Sequence, residues 1–329
     1  MSLIRVPRRA LLAGIALPTP LLTAPALAQS FPTRPLRVVV PFAAGGLTDS
    51  QMRVVCEGAA RRLGQAIVVE NRSGAGGILG AQALANDRAA DGYLLSQMPS
   101  SVFRYPLVAA RPPFNPLTDF TSITNVAATP NVIAVHPSFP ARDYKTFLSE
   151  VKRNPGKYSF ASSGTGGIGH LQMELFKVLS GTFITHIPYR GAGPALVDTA
   201  GGQVPMIFDN LPSALHYIKE GRLIPIVVAA PQRLAVLPNI PTFKEVGLEQ
   251  VNRMAYYGLH GPKGLPADVV NKLYAAVKKT LDIPEVRKRI EDTGSLIVGN
   301  TPAEFAAQTK AEFEVYKKVV EQRNLKLDA

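Results

Sequence analysis

The stretch RVVVPFAAGGLTDSQMR, residues 37–53, decides the fold. A β-branched run stops at Pro41, passes through small residues and two glycines, and gives way at Thr48-Asp49 to a helical pattern. Met52, Val55, Cys56, Ala59 and Leu63 recur at helical spacing, and Gly64 ends the run. Thr48 with Gln51 three residues on predicts a capping box. A strand handed to a helix across glycine exposes unpaired N–H groups at the positive end of the helix. Glycine also lets a ligand approach the backbone closely. The junction therefore suits an anion; a tight turn accounts for the glycines equally well.

The same unit recurs on both sides. A strand over 66–70 runs into the loop Asn71-Arg-Ser-Gly-Ala-Gly-Gly and a short helix near Ile78–Ala85; Asp91-Gly92 then turns into a strand over 93–98. This βαβαβ order predicts a parallel sheet covered by helices. A second α/β unit follows: strand Asn131–Val135, helix 144–152, strand 157–161, helix 170–179, strand 182–187, a short helix after Gly191, strand 204–208, helix 213–220 and strand 223–229. The remainder is helical, with Ala267–Leu281 and a helix from Thr301-Pro302-Ala303-Glu304 to about residue 322. A helical tail after two α/β units packs back on the first. The expected lobes are 29–127 plus 253–329, discontinuous, and 128–252. No low-complexity linker separates them, which suits two lobes hinged on crossover strands.

Residues 1–28 read as a secretory leader. Arg5, Arg8 and Arg9 precede an apolar stretch, and Ala26-Leu27-Ala28 is a small-x-small cleavage site. Arg8-Arg9 hints at twin-arginine export, although Pro7 stands where Ser or Thr is usual, so Sec and Tat both stay open. The formal charge of +12 falls to +9 without the leader's three arginines. Such a balance admits nucleic acid, anionic membrane or small anions, but the basic residues are scattered, which disfavours nucleic acid. Cys56 is the sole cysteine, excluding an internal disulfide and a cysteine-based metal cluster. It falls on an apolar helical stripe, as a buried structural thiol does.

Glycine loops follow strands at 43–49, 73–80 and 162–169. Gly164, Gly166 and Gly169 match GxGxxG, but the next strand ends His186-Ile-Pro-Tyr-Arg190 without the acid a dinucleotide site needs. No loop carries GK[ST]. What remains is a general anion cradle of backbone N–H groups, with hydroxyls from Thr48, Ser162, Ser163 and Thr165.

The ordered set VVPFAAGGLTD, VVENRSGAGGILG, PGKYSFASSGTGGIGHLQMELF, HIPYRGAGPALVDTAGGQV, FDNLPSALHYIKEGRL, LPNIPTFKEVGL, YYGLHGPKGLP and TPAEF resembles the Bug-type extracytoplasmic solute receptors of tripartite tricarboxylate transporters, over residues 31–316. The resemblance implies an α/β, two-lobed periplasmic binding protein of the type II-like, Venus flytrap kind, with a small organic carboxylate between the lobes. It implies no cofactor, membrane permease subunits as partners, a monomer, and a periplasmic location with cleavage after Ala28. By the match, Ala44, Gly45, Gly46, Thr48 and Asp49 form the first wall; Ser162, Ser163, Gly164, Thr165 and His170 form the second; Gly76 and Asp209 lie nearby. Asp49 would repel an anion and reads better as a helix cap. Asp209 could meet an ammonium group or cap the next helix. Arg190 could clamp a second carboxylate or stand solvated. In MPSSVFRYPLV, which departs from the family, Pro99, Phe103 and Arg104 are expected to reshape one side of the cleft.

A periplasmic hydrolase acting on a small carboxylic substrate is the alternative from another class. Against it, no GxSxG elbow and no HExxH pair is present. Glu312 and Glu321 lie on one helix whose face reads as solvated.

Overall fold

The computed structural model describes residues 31–323 apart from 43, 46 and 73–76. The predicted leader, Gly46 and Gly76 lie outside the described residues. The first sheet contains β1 (Leu36–Val40), β2 (Ile67–Asn71), β3 (Leu94–Pro99), β4 (Phe120–Thr129), β10 (Ala255–Pro262) and β11 (Leu296–Ile297). Its order is β11-β4-β10-β3-β1-β2. The second contains β5 (Asn131–Val135), β6 (Ser159–Ser162), β7 (Thr185–Pro188), β8 (Met206–Asn210) and β9 (Ile224–Ala229), in the order β7-β6-β8-β5-β9.

Both sheets are mixed rather than parallel. β1 pairs in parallel with β2 and β3, as the βαβαβ pattern predicts, but β10 runs antiparallel to β3 and β4. In the second sheet β6 is parallel to β7 and β8, whereas β5 is antiparallel to β8 and β9. β5 and β10 are the strands that receive the chain after each passage between sheets, and the short β11 also runs antiparallel to β4. Pro130 alone separates β4 from β5, and the chain returns after the 3-10 turn Glu249–Val251 to enter β10.

These two passages are tied together by buried amides. Asn131 Nδ2 donates to Gln172 Oε1 (2.8 Å) and to the Arg253 carbonyl (3.2 Å). Gln172 Nε2 donates to the Val251 (2.6 Å) and Arg253 (2.7 Å) carbonyls. Both side chains are fully buried, where an unmet amide would be costly. Gln172 sits on α5 (Ile168–Ser180), so the helix that follows the glycine loop at 162–167 is anchored at the crossing. Gly169 lets α5 lie against β8: a Cβ there would stand 2.0 Å from the Phe208 carbonyl oxygen.

The first helix, α1 (Leu47–Leu63), begins one residue before the predicted start. Gln51 does not complete a capping box; its Nε2 donates to Thr293 Oγ1 and Ser295 Oγ. The Thr301–Glu304 box does form, with Thr301 N–H on Glu304 Oε2 (2.9 Å) and Glu304 N–H on Thr301 Oγ1 (3.3 Å). It opens α10 (Pro302–Arg323), which packs on α3 (Ser100–Val108) and β4 of the first sheet's side and on α5 of the second's. Phe305 joins Phe103, Met98 and Tyr256 in the first core; Val319 joins Phe147, Phe160, Phe176 and Phe208 in the second. Tyr316 and Val320 meet Leu171 of α5.

The face of α10 expected to be solvated holds a buried charge. Glu312 accepts from Arg104 Nη2 at 2.9 Å, and the guanidinium lies 3.9 Å above the Tyr316 ring. Arg104, on α3, is 1% exposed and so packs α3 against α10 rather than shaping the cleft. Glu312→Ala would strand that guanidinium without its counter-charge. A loss of about 3 kcal/mol in urea unfolding is expected, with most of it recovered when Arg104→Met is combined with Glu312→Leu.

Candidate functional site

A cavity of about 750 Å³ takes its walls from both sheets. The second sheet contributes the loop Ser163–Gly167, Arg190, Gly191, Asp209 and Asn210; the first contributes Pro41, Phe42, the start of α3, and Tyr256 and Tyr257 of β10. Of the expected residues, Ser163, Gly164, Thr165 and Asp209 line it. Thr48, Asp49, Ser162 and His170 are buried beside the two loops and are not among its lining residues; Ala44 and Gly45 are exposed.

The loop after β6 is shaped from beneath. Ser162 Oγ contacts His186 Nε2 at 2.7 Å and accepts from the Gly164 N–H at 3.2 Å. His170 Nδ1 accepts from the Gly166 N–H at 3.0 Å. The two imidazoles stack, centroids 3.9 Å apart and planes 8° apart, with Phe160 against the other face of His186. Gly164 and Gly166 have φ of +142° and +73°, which favour glycine. With those N–H groups held, and that of Gly167 on the Gly164 carbonyl, the Ser163 and Thr165 N–H groups have no acceptor among the described residues. They stand ahead of the first turn of α5, whose N–H groups lack intrahelical partners. Arg190 is exposed on the same wall and forms no ion pair within the described residues.

The first loop resolves the question of Asp49 differently. Its Oδ2 accepts from the Gly45 N–H (2.8 Å) and Arg53 Nε (3.0 Å), and its Oδ1 from Asn71 Nδ2 (2.8 Å). Burial raises its pKa, but Arg53, the Gly45 N–H and Asn71 outweigh burial and hold it below the ordinary carboxylate value. The same Asn71 Nδ2 donates to the Phe42 carbonyl (3.0 Å). Asp49 thus braces the turn that presents Phe42 to the cavity. Thr48 contributes its backbone carbonyl to Gln97 Nε2.

Asp209 does not cap α7 (Leu211–Lys219). Its Oδ1 accepts from the Asn210 N–H (2.7 Å), its Oδ2 has no partner, and burial pushes the carboxyl up to about 6. Tyr257 Oη accepts from Asn210 Nδ2 at 3.3 Å. Phe103 belongs to the first core, while Pro99, Ser100, Ser101 and Tyr105 line the cavity in the segment where Phe103 and Arg104 were expected to act. No group of three His, Cys, Asp or Glu side chains suited to a metal occurs among the described residues. Burial pushes the Cys56 thiol up to about 12, as suits a structural thiol.

A cavity lined from two α/β sheets that are joined by paired chain crossings defines a two-lobed solute receptor of the periplasmic-binding type. The chain belongs to the tripartite tricarboxylate transporter receptor family (TctC), whose model matches residues 51–325. It is 32% identical over 316 residues to BugT of Bordetella pertussis, covering 95% of this chain and 97% of that protein. Among solved structures it is similar to a periplasmic transporter, with 46% identity, a TM-score of 0.79, and coverage of 91% of this chain and 100% of that one. It is also similar to MatC from Rhodopseudomonas palustris with bound malate, with 33% identity, a TM-score of 0.75, and coverage of 88% and 100%.

Phe42, Tyr257, Ser100 and the bracing His186 escaped sequence reasoning. Phe42 follows Pro41 inside the first quoted stretch, and its place directly after a strand end was the available signal. His186 carried none.

Burial, with the charge of Lys177 behind it, pulls His170 down to about 4; burial, His170 and Lys177 pull His186 down to about 3. Between those values and the ordinary 6.5 the unfolded chain binds more protons, so stability is full above pH 6.5 and falls as pH drops toward 4. Asp209, raised from 3.8 to about 6, has the opposite sign: its contribution is present at acid pH and lost as pH rises through 6. His170→Asn keeps an acceptor for Gly166 and removes one titrating ring. Urea unfolding across pH 6.5 to 4 is expected to show a shallower acid limb, by up to about 1.4 kcal/mol per pH unit.

Proposed function

We propose that this chain is a periplasmic receptor that captures a small organic carboxylate between its lobes and delivers it to the membrane permease subunits of a tripartite tricarboxylate transporter. It acts as a monomer, without cofactor and without turnover. It is exported by Sec or Tat, with cleavage after Ala28. Lobe one comprises 29–127 plus 253–329, and lobe two 128–252.

The observation that carries this reading is the loop at 163–167. Among the described residues its Ser163 and Thr165 N–H groups lack acceptors at the head of α5, and Arg190, without an ion pair, shares its wall. Hydrogen bonds to a charged group are worth about 1.5–3 kcal/mol each, enough in combination for micromolar capture. Membership of the receptor family and the malate bound in MatC support an acid as ligand. Ser163, Gly164, Thr165 and Arg190 contact it in this reading, with Asp209 beneath. Ser162 and His170 act through the loop, and Thr48 and Asp49 through the first turn. Ala44 and Gly45, with Gly46 and Gly76, meet the ligand on closure. Closure is favoured because only the closed form lets one ligand touch both lobes.

The test is a thermal-shift panel of small carboxylic acids on the mature protein, followed by calorimetry. A specific acid at one hundred times its Kd should stabilise folding by about 2.7 kcal/mol. Arg190→Gln and Ser163→Trp should each weaken it about tenfold or more without lowering the unliganded melting point. Unchanged affinity in both variants would remove the acid from this loop.

A further inference from the structure

We infer, resting on the receptor reading above, that the acid bound here carries an aromatic body opposite its carboxylate. The cavity is divided by polarity. The second-sheet wall holds the spare N–H groups and Arg190, and the first-sheet wall is dominated by Phe42, Ile78, Pro99, Tyr105, Tyr256 and Tyr257. Polar groups on that wall, among the described residues, are the hydroxyls of Ser100 and Ser101 at the start of α3 and those of the three tyrosines, of which Tyr257 Oη is engaged by Asn210. Ser100 is 2% exposed.

The apolar wall continues across the site. Ile168, the first residue of α5, packs with Ala255, Tyr257 and Phe42 in one cluster, directly after the loop that carries the spare N–H groups. Phe42 meets Tyr257 edge to face, with centroids 6.5 Å apart and planes at 76°. Phe42 is only partly buried although it belongs to this cluster and to the cavity wall. A ring seated against it extends an edge-to-face arrangement already present, the geometry aromatic pairs favour. A small hydroxy acid with polar groups on most of its carbons would cover that wall without removing apolar surface from water. Its hydroxyls would also face few partners, which counts against it. The cavity's volume falls within the range of ordinary ligand pockets and has room for a ring beyond the carboxylate.

Calorimetry with benzoate and with malate on the mature protein tests this. Benzoate is expected to bind about tenfold or more tightly than malate. Phe42→Ala should abolish the preference by weakening benzoate about tenfold, and by more than it weakens malate. Phe42→Leu, which keeps bulk and is the safer variant for folding, should lose part of it. Malate binding as tightly as benzoate would overturn the inference and leave the receptor reading standing. So would a preference that survives both variants. Failure of every acid in the wider carboxylate panel would overturn both.

Discussion

Two buried amides hold the architecture together. The chain leaves the first sheet at Pro130 and returns before β10, and both passages meet at Asn131, Gln172 and the carbonyls of Val251 and Arg253. Backbone carbonyls at such a crossing cannot join a sheet ladder, and burial denies them water. The Gln172 side chain donates to both, beside the Arg253 N–H on the Val251 carbonyl and Asn131 on that of Arg253. Because Gln172 belongs to α5, the position of that helix relative to both sheets is set at the same point. The loop at its head inherits that position.

The two glycine loops look alike in sequence and are braced by opposite means. In the first, a carboxylate gathers donors: Asp49 takes the Gly45 N–H, Arg53 and Asn71. In the second, neutral acceptors do the work. Ser162 takes the Gly164 N–H and His170 takes that of Gly166. A carboxylate in direct hydrogen bond with this loop would add negative charge at the anion, where Asp209 on the same wall already has its ionisation held back by burial. Two imidazoles held neutral by burial and mutual stacking provide acceptors without that repulsion. The first loop carries an acid, and its contribution to the cavity is Pro41 and the aromatic face of Phe42.

Much of the fold was legible because strand and helix periods alternate cleanly through residues 36–98 and 131–229, and because glycine loops follow β1, β2 and β6. What escaped depends on contacts distant in sequence. β10 reads as Ala-Tyr-Tyr-Gly-Leu-His-Gly-Pro, buried at every position, so it shows no alternation. α3 contains Pro106, which argues against a helix when read locally. Glu312 looked solvated because its partner Arg104 lies 208 residues away. At the site, the glycines and hydroxyls of the second loop were visible as types. The neutral histidine stack was not, because it joins α5 to β7 and no spacing rule connects residues 170 and 186. The apolar wall escaped for the same reason: Phe42, Tyr105 and Tyr257 come from three separate segments.

The helix α10 enters both cores at once, with Phe305 in one and Val319 in the other. Along that edge the halves have no freedom to part, since separation would expose packed side chains of both. Any gape must pivot close to this fulcrum and to the amide knot beside α5. A rotation of a few degrees there is magnified with distance from the axis, so the rim of the mouth travels furthest while the hydrogen-bonded pivot scarcely shifts. In a receptor that closes on its ligand, such a pivot would give leverage to the outermost residues and spare the interior from repacking.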